Sequence, residues 1–299
     1  MAVQFKKATK KKAKARVGIS GPAGAGKTFT ALRLATTMCD KVAVIDTEHG
    51  SASKYADLFE FDVLELDDFH PDNYIKAIKA AQEAGYEALV IDSITHEWNG
   101  VGGCIDLLEV AKRKWKGNSY AAWGDITPLH NRFIEAILAS KMHIFATMRS
   151  KMDYLQTEDS NGKKKVEKVG MAPITREGVE YEFDIVGEID LNHSMMITKT
   201  RCHKLADKIF TKPGEDLANE IKSWLDDGTE PTPEEIEKMQ LITIIAKVAE
   251  DKGYSQDAIN VAVSNLYGSE GKTRLEQLNV AQLNVVLDKM NAAKTKVVE

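Results

Sequence analysis

The sequence contains no long apolar segment and only three cysteines. A helix that crosses a membrane needs about 18 or more consecutive apolar residues, and no such run occurs. The N-terminal stretch MAVQFKKATKKKAKAR lacks the apolar region of a signal peptide, so we expect a cytoplasmic protein with no membrane partner. Cys39, Cys104 and Cys202 are far apart and not in CxxC spacing, which favours reduced packing residues over disulfides or a zinc site. A bound metal ion should therefore have oxygen ligands.

The net charge of −5 does not indicate a surface that binds nucleic acid as a whole. Basic residues are nevertheless concentrated at the N-terminus, where residues 1–16 carry seven Lys or Arg and no acid. Such a tail is either a solvated segment or an arm that contacts phosphates.

Short β-branched runs alternate with helical patterns through the first two thirds of the chain. This alternation predicts an α/β fold with a mostly parallel sheet flanked by helices. The segment around KWKGNSYAAWGD should interrupt a long helical stretch over 94–140, and KMDYLQTEDSNGKKKVEKVG (151–170) is typical of a hairpin or a mobile loop with Asn161-Gly162 at its turn. The predicted strands are 15–20, 42–46, 62–66, 87–92 and 142–148, followed by two more in YEFDIVGEIDL and SMMITKTRC.

The composition changes at DDGTEPTPEE, where prolines and acids indicate a linker. Three helical patterns follow, with Ser255 and Asn279 as expected N-caps. We therefore predict four regions: a basic tail at 1–14, an α/β core at 15–226, a linker at 227–233 and a C-terminal helical module at 234–299.

The octapeptide GPAGAGKT at 21–28 follows a predicted strand, opens a predicted helix and matches the P-loop pattern GxxxxGK[ST]. Its glycines allow the backbone N–H groups to surround a phosphate, and Lys27 is expected to reach the β- and γ-phosphates of ATP. Thr28 should supply an oxygen to Mg²⁺. The predicted nucleotide contacts are Gly21, Pro22, Ala23, Gly24, Ala25, Gly26, Lys27, Thr28, Phe29 and Asp92.

Two further strands end in acids that should lie near this loop, because the carboxyl ends of parallel strands meet at one edge of the sheet. ALVIDS places Asp92 at such an end, where it can hold Mg²⁺ together with Thr28. VAVIDTEHGS places Asp46 and Glu48 at another. Glu48 has the longer reach, so we assign it as the general base that polarises the attacking water, with Asp46 as a supporting acid. Asp46 and Glu97 are the next candidates for the base.

GPAGAGKT, VIDTEHGS and VIDSIT together resemble the RecA-type ATPases over roughly residues 15–225. Within that class the chain looks most like the phage RecA-like ATPases grouped with single-strand annealing proteins, the Sak-four group. The resemblance implies a RecA-like P-loop core and an oligomeric, ATP-dependent recombination protein that binds single-stranded DNA. If the protein is encoded by a phage, it would act in the cytoplasm of a bacterial host.

The element ITKTRC is similar to the K-x-R element that RecA-like rings and filaments project into the nucleotide of a neighbouring subunit. This similarity makes Lys199 and Arg201 candidate trans-acting charges on the γ-phosphate, with Arg201 as the finger. Without the resemblance, Lys and Arg alternating on a strand are typical of a solvated face.

The chain departs from the RecA-like pattern after HIFATM, where those proteins often carry a γ-phosphate-sensing glutamine. Here Thr147, Met148 and Arg149 occupy the region, and Arg149 and Lys151 either replace the sensor or bind phosphate. The segment 151–170 falls where the family places DNA-contacting loops, with Tyr154 available to stack on a base. The basic candidates for DNA contact are Arg149, Lys151, Lys163, Lys164, Lys165 and Lys168. Acidic residues lie among them, so an ordinary solvent-exposed hairpin without a DNA-binding role is the alternative interpretation.

Several functional alternatives remain on the same fold. They are a helicase or helicase loader, an assembly protein switched by ATP, and a regulatory ATPase that does not touch nucleic acid. The C-terminal module would either dock a partner such as a single-strand-binding protein or pack against the core.

Overall fold

The computed structural model describes residues 9–10, 12–158, 164–228, 232–267 and 273–292. They form two compact units, one spanning Ala13–Asp227 and one containing the helices after Gly228. Among the described residues, no helix has the length and apolarity that a membrane span requires.

The first unit is built on a mostly parallel sheet. Its strand order is β3-β2-β4-β5-β1-β7-β8-β9; β8 and β9 are antiparallel at one edge, and β6 pairs antiparallel with the distal part of β5. The strands are β1 Arg16–Gly21, β2 Val42–Asp46, β3 Asp62–Glu65, β4 Ala88–Asp92, β5 His143–Glu158, β6 Lys164–Pro173, β7 Ile185–Ile189, β8 Ser194–Thr200 and β9 Ile209–Thr211.

Helices cover both faces of this sheet, which is why β1, β2 and β4 are continuous buried runs without polar alternation. Side chains alternate between the faces, so Val90 packs with Leu32 while the adjacent Leu89 packs with Tyr74 and Phe133. The helices are α1 Lys27–Met38, α2 Pro71–Glu83, α3 Thr95–Asn99, α4 Cys104–Lys114, α5 Ser119–Ala139 and α6 Glu215–Asp226. The predicted fold class, an α/β core with a mostly parallel sheet flanked by helices and followed by a helical module, is confirmed.

Two boundaries differ from the predicted organisation by more than one residue. The helical stretch after β4 is broken twice, at 100–103 as well as at 115–118, and α5 already begins at Ser119 because the Asn118 side chain accepts a hydrogen bond from Ala121 N (3.1 Å). Strand β5 continues ten residues beyond the predicted end at Met148, since pairing with β6 satisfies its backbone groups. The segment 151–170 therefore belongs to an antiparallel hairpin, and its predicted turn at Asn161-Gly162 lies outside the described residues.

In the described part of the second unit there are three α-helices, α7 Pro233–Asp251, α8 Gln256–Tyr267 and α9 Val280–Ala292. Their shared core includes Ile245, Val263 and Leu283. Both expected caps are present: Ser255 Oγ accepts from Ala258 N (3.2 Å), and Asn279 Oδ1 accepts from Gln282 N (2.9 Å). These caps satisfy N–H groups that a helix start leaves without an intrahelical partner.

Candidate active site

The P-loop connects β1 to α1, and its glycines have different roles. Gly24 and Gly26 adopt left-handed φ values of 79° and 92°, which non-glycine residues rarely tolerate. Gly21 instead ends β1 against β7, where a Cβ would collide with the carbonyl oxygen of Ile189. The absence of a side chain at Gly21 thus permits close packing of two strands, and its contact with the phosphate stays a prediction.

A cavity of about 950 Å³ opens over this loop. Residues from Ala23 to Thr30 form one wall, and this range includes most of the predicted nucleotide contacts. The volume falls within the range of small-molecule sites and is sufficient for a nucleotide. The remaining lining residues are Arg33, Glu48, Ser51, Tyr55, Arg149, Ser150, Ile174, Ile189, His193, Lys212 and Pro213.

Lys27 is one of the residues that line this cavity. Its Nζ donates to the carbonyl oxygen of Pro22 (2.9 Å). Burial lowers the pKa of Lys27, the charges of Asp92 and Glu48 raise it, and that of Arg149 lowers it. The side chain is therefore placed among three charged groups.

Thr28 and Asp92 meet as the sequence predicts. Thr28 Oγ1 donates to Asp92 Oδ2 (2.6 Å), and the Thr147 hydroxyl donates to the other carboxylate oxygen. Burial raises the pKa of Asp92, while the hydrogen bonds from Thr147 and Thr28 counteract that rise. Hydroxyl and carboxylate oxygens are the ligands that Mg²⁺ prefers, so these residues fit that ion.

The two acids after β2 differ sharply in environment. Asp46 is fully buried and accepts hydrogen bonds from the backbone N–H groups of Glu48 (2.6 Å) and Ala52 (2.8 Å), so it shapes the loop that carries Glu48. Glu48 itself lines the cavity, and its Oε1 pairs with Arg149 through Nε (3.0 Å) and a terminal nitrogen (2.9 Å). Glu48 is thus the acid that can face a bound nucleotide.

A profile for the family AAA_24, described as an AAA domain, matches residues 13–212 of this chain. The chain belongs to the AAA_24 family of P-loop ATPases. No curated protein matches. Among solved structures, a KaiC-like protein of the hyperthermophilic archaeon Pyrococcus horikoshii OT3 is similar at 17% sequence identity and a TM-score of 0.35, over 64% of this chain and 82% of that chain.

Glu97, an alternative candidate for the general base, is not among the residues that line the cavity over the P-loop. It is 1% exposed and bonds to His130 Nδ1 (3.1 Å) and the Cys104 thiol (3.1 Å). All three cysteines are free, and burial raises the pKa of the Cys104 thiol. Sequence spacing gave no sign of this cluster because its members come from three separate helices.

The two candidate trans-acting residues make contacts within their own chain. Lys199 Nζ donates to the carbonyl oxygens of Tyr181 (2.7 Å) and Phe183, and Arg201 pairs with Asp184 (2.8 Å). Neither belongs to the described residues that line the cavity. With 58% of its side chain exposed, Arg201 is accessible to another molecule.

The basic residues assigned to DNA separate into two groups. Arg149 lines the nucleotide cavity, whereas Lys151 is an exposed residue of β5. On β6, Lys164, Lys165 and Lys168 are opposite Glu158, Thr157 and Tyr154 in the strand register, and Lys163 lies outside the described residues. Arg149 is thus better placed for a nucleotide phosphate than the lysines of the hairpin.

Sequence reasoning missed several residues of the cavity. Tyr55 packs edge-on against Phe29 (5.8 Å between centroids), and Nδ1 of His193 lies 2.9 Å from the carbonyl oxygen of Ala25. Lys212, which follows β9, adds a cation. No local motif distinguishes these residues, because they come from segments far apart in the chain.

Proposed function

We propose that this protein is an Mg²⁺-dependent ATPase that binds single-stranded DNA and, as a homo-oligomer, promotes annealing or strand exchange in phage recombination. The observation that carries the ATPase part is the convergence of Lys27, Glu48 and the Thr28–Asp92 pair at one edge of the sheet. The DNA part rests on the RecA-type resemblance and on the basic hairpin of β5 and β6.

Nucleotide binding is assigned to the loop between β1 and α1. The left-handed glycines bend the backbone, α1 contributes the positive end of its dipole, and Lys27 neutralises phosphate charge. Thr28 and Asp92 would hold Mg²⁺, which when bound supplies positive charge to the phosphates.

Activation of water is assigned to Glu48. Its loop is held by Asp46, so the carboxylate is directed into the cavity without being buried. A general base needs this combination of reach and fixed position. Lys199 and Arg201 of a neighbouring subunit would stabilise charge that develops on the transferred phosphoryl group, provided that they leave their present partners.

Single-stranded DNA is assigned to the hairpin. Lysines on β6 supply phosphate contacts and Tyr154 on β5 is available for stacking, a combination that tolerates any base sequence. Because β5 belongs to both the parallel sheet and the hairpin, occupancy of the hairpin can influence the catalytic edge. The C-terminal unit is the proposed docking site for a single-strand-binding protein.

One preparation tests these assignments together. ATP hydrolysis is measured with and without single-stranded DNA, followed by strand annealing and duplex unwinding, with Glu48→Gln as the control that attributes hydrolysis to this cavity. Stimulation by DNA together with annealing supports the proposal. Unwinding would instead identify a helicase, and hydrolysis indifferent to DNA would identify an assembly or regulatory ATPase.

A further inference from the structure

Arg149 occupies the junction between the parallel sheet and the hairpin. It is the last residue of β5 that pairs with β1, where its register partner is Gly21, and from Ser150 onward β5 pairs with β6. Its backbone is held on both sides: its N–H donates to Thr95 Oγ1 (2.9 Å) and its carbonyl accepts from Ile174 N (2.6 Å). The start of its side chain is therefore fixed beside the P-loop.

The side chain of Arg149 ends on the general base. Its Nε donates to Oε1 of Glu48 (3.0 Å), and a terminal guanidinium nitrogen lies 2.9 Å from the same oxygen. The pair is only partly covered, with 47% of the Arg149 side chain and 24% of the Glu48 side chain exposed. Both residues line the cavity that contains Lys27, and both charges act on its ammonium group.

We propose that Glu48 and the terminal phosphate of ATP compete for the guanidinium group of Arg149. Without nucleotide, Arg149 holds Glu48; with ATP bound, Arg149 moves to the terminal phosphate and releases the base. This inference rests on the proposed function, since it requires nucleotide in this cavity and Glu48 as the base. Arg149 is then a positioning residue for Glu48 and discriminates ATP from ADP.

Charge and geometry favour such an exchange. A terminal phosphate carries more negative charge than one carboxylate and offers several oxygens to the planar fork of a guanidinium group. While the guanidinium group occupies Oε1 of Glu48, that oxygen is not available to accept a proton from the attacking water. The pair thus keeps Glu48 inactive until a γ-phosphate is present, and the junction position of Arg149 links the exchange to the hairpin.

Nucleotide affinities of single and double variants test the competition. The readout is the ratio of affinities for a nonhydrolysable ATP analogue and for ADP, both with Mg²⁺, measured by calorimetric titration. Glu48→Gln should raise this ratio about two- to fivefold, the range expected when a partly exposed ion pair is broken. Arg149→Gln should lower the ratio, and Arg149→Lys, which keeps the charge but not the fork, should restore part of it.

The double variant separates competition from simple repulsion between Glu48 and the phosphate. If the two anions compete for Arg149, Glu48→Gln adds nothing in the Arg149→Gln background. An equal gain in both backgrounds, or no gain in either, overturns the inference. Arg132→Gln is the matched control, because it removes an exposed pair with Asp72 (3.0 Å) outside the cavity and should leave the ratio unchanged.

Failure of the proposed function would look different. If Lys27→Ala binds both nucleotides as well as the unaltered protein does, the cavity is not the nucleotide site. If Lys27→Ala loses binding while the Glu48→Gln effect is independent of Arg149, only the competition is wrong.

Discussion

The hydroxyl of Thr147 makes a hydrogen bond whose loss should destabilise the protein by a measurable, pH-dependent amount. Thr147 is fully buried and donates to Asp92, which is 1% exposed. Thr147→Val removes the donor while nearly preserving volume, so no large cavity forms. A hydrogen bond to a charged group contributes about 1.5–3 kcal/mol, and we expect a loss of that size in the free energy of unfolding at neutral pH.

The pH dependence follows from the carboxylate of Asp92. Burial raises the pKa of Asp92 in the folded protein, so the ionised carboxylate lowers the free energy of unfolding at pH values above that pKa. The hydrogen bond from Thr147 offsets part of this destabilisation. Without the hydroxyl the pKa rises further. The stability difference between Thr147→Val and the unaltered protein should therefore be greatest at neutral pH and diminish as the pH falls through the raised pKa of Asp92.

Urea unfolding at a series of pH values measures this difference. Thr147→Ser is the control: it keeps the hydroxyl and loses one methyl group, which should cost about 0.8 kcal/mol at every pH. A loss for Thr147→Val that is independent of pH, or smaller than about 0.5 kcal/mol, would refute the reasoning, because an ordinary surface substitution has an effect of that size.

Three further predictions concern the proposed function. Lys27→Ala should abolish ATP binding in a calorimetric titration, since the phosphate charge loses its partly buried counter-ion; normal affinity would contradict the site. Arg201→Ala should bind ATP yet hydrolyse it poorly, and mixing it with Lys27→Ala protein should restore some hydrolysis. If mixed oligomers form but hydrolysis is not restored, Arg201 does not act as an arginine finger across subunits. Replacing Lys163, Lys164 and Lys165 with Gln should weaken the salt dependence of single-strand binding: the slope of log K against log[salt] should fall by about 0.7 per lost phosphate contact, near 2 in total. An unchanged slope would make the basic N-terminal tail the better candidate for the DNA contact.

The parts of the site that lie within one motif were predictable from the sequence. The P-loop pattern predicted Lys27 and Thr28, and the acids at the ends of apolar strands predicted Asp92 and Glu48 at the same edge. This works because a parallel α/β sheet brings every carboxyl strand end to one side, whatever the order of the strands. Most helices and strands followed from periodicity, with errors at the boundaries of β5 and α5, but β9 and α6 were not among the predicted elements.

The order of the strands, by contrast, was decided only in the tertiary structure. Placing β5 between β4 and β1 brings Thr147 to Asp92 and Arg149 to Glu48, pairs separated by 55 and 101 positions in the chain. The same packing buries Glu97 against His130 and removes it as a candidate for the cavity. Local pattern cannot reveal such contacts, because it records which face a residue presents but not which distant strand becomes its neighbour.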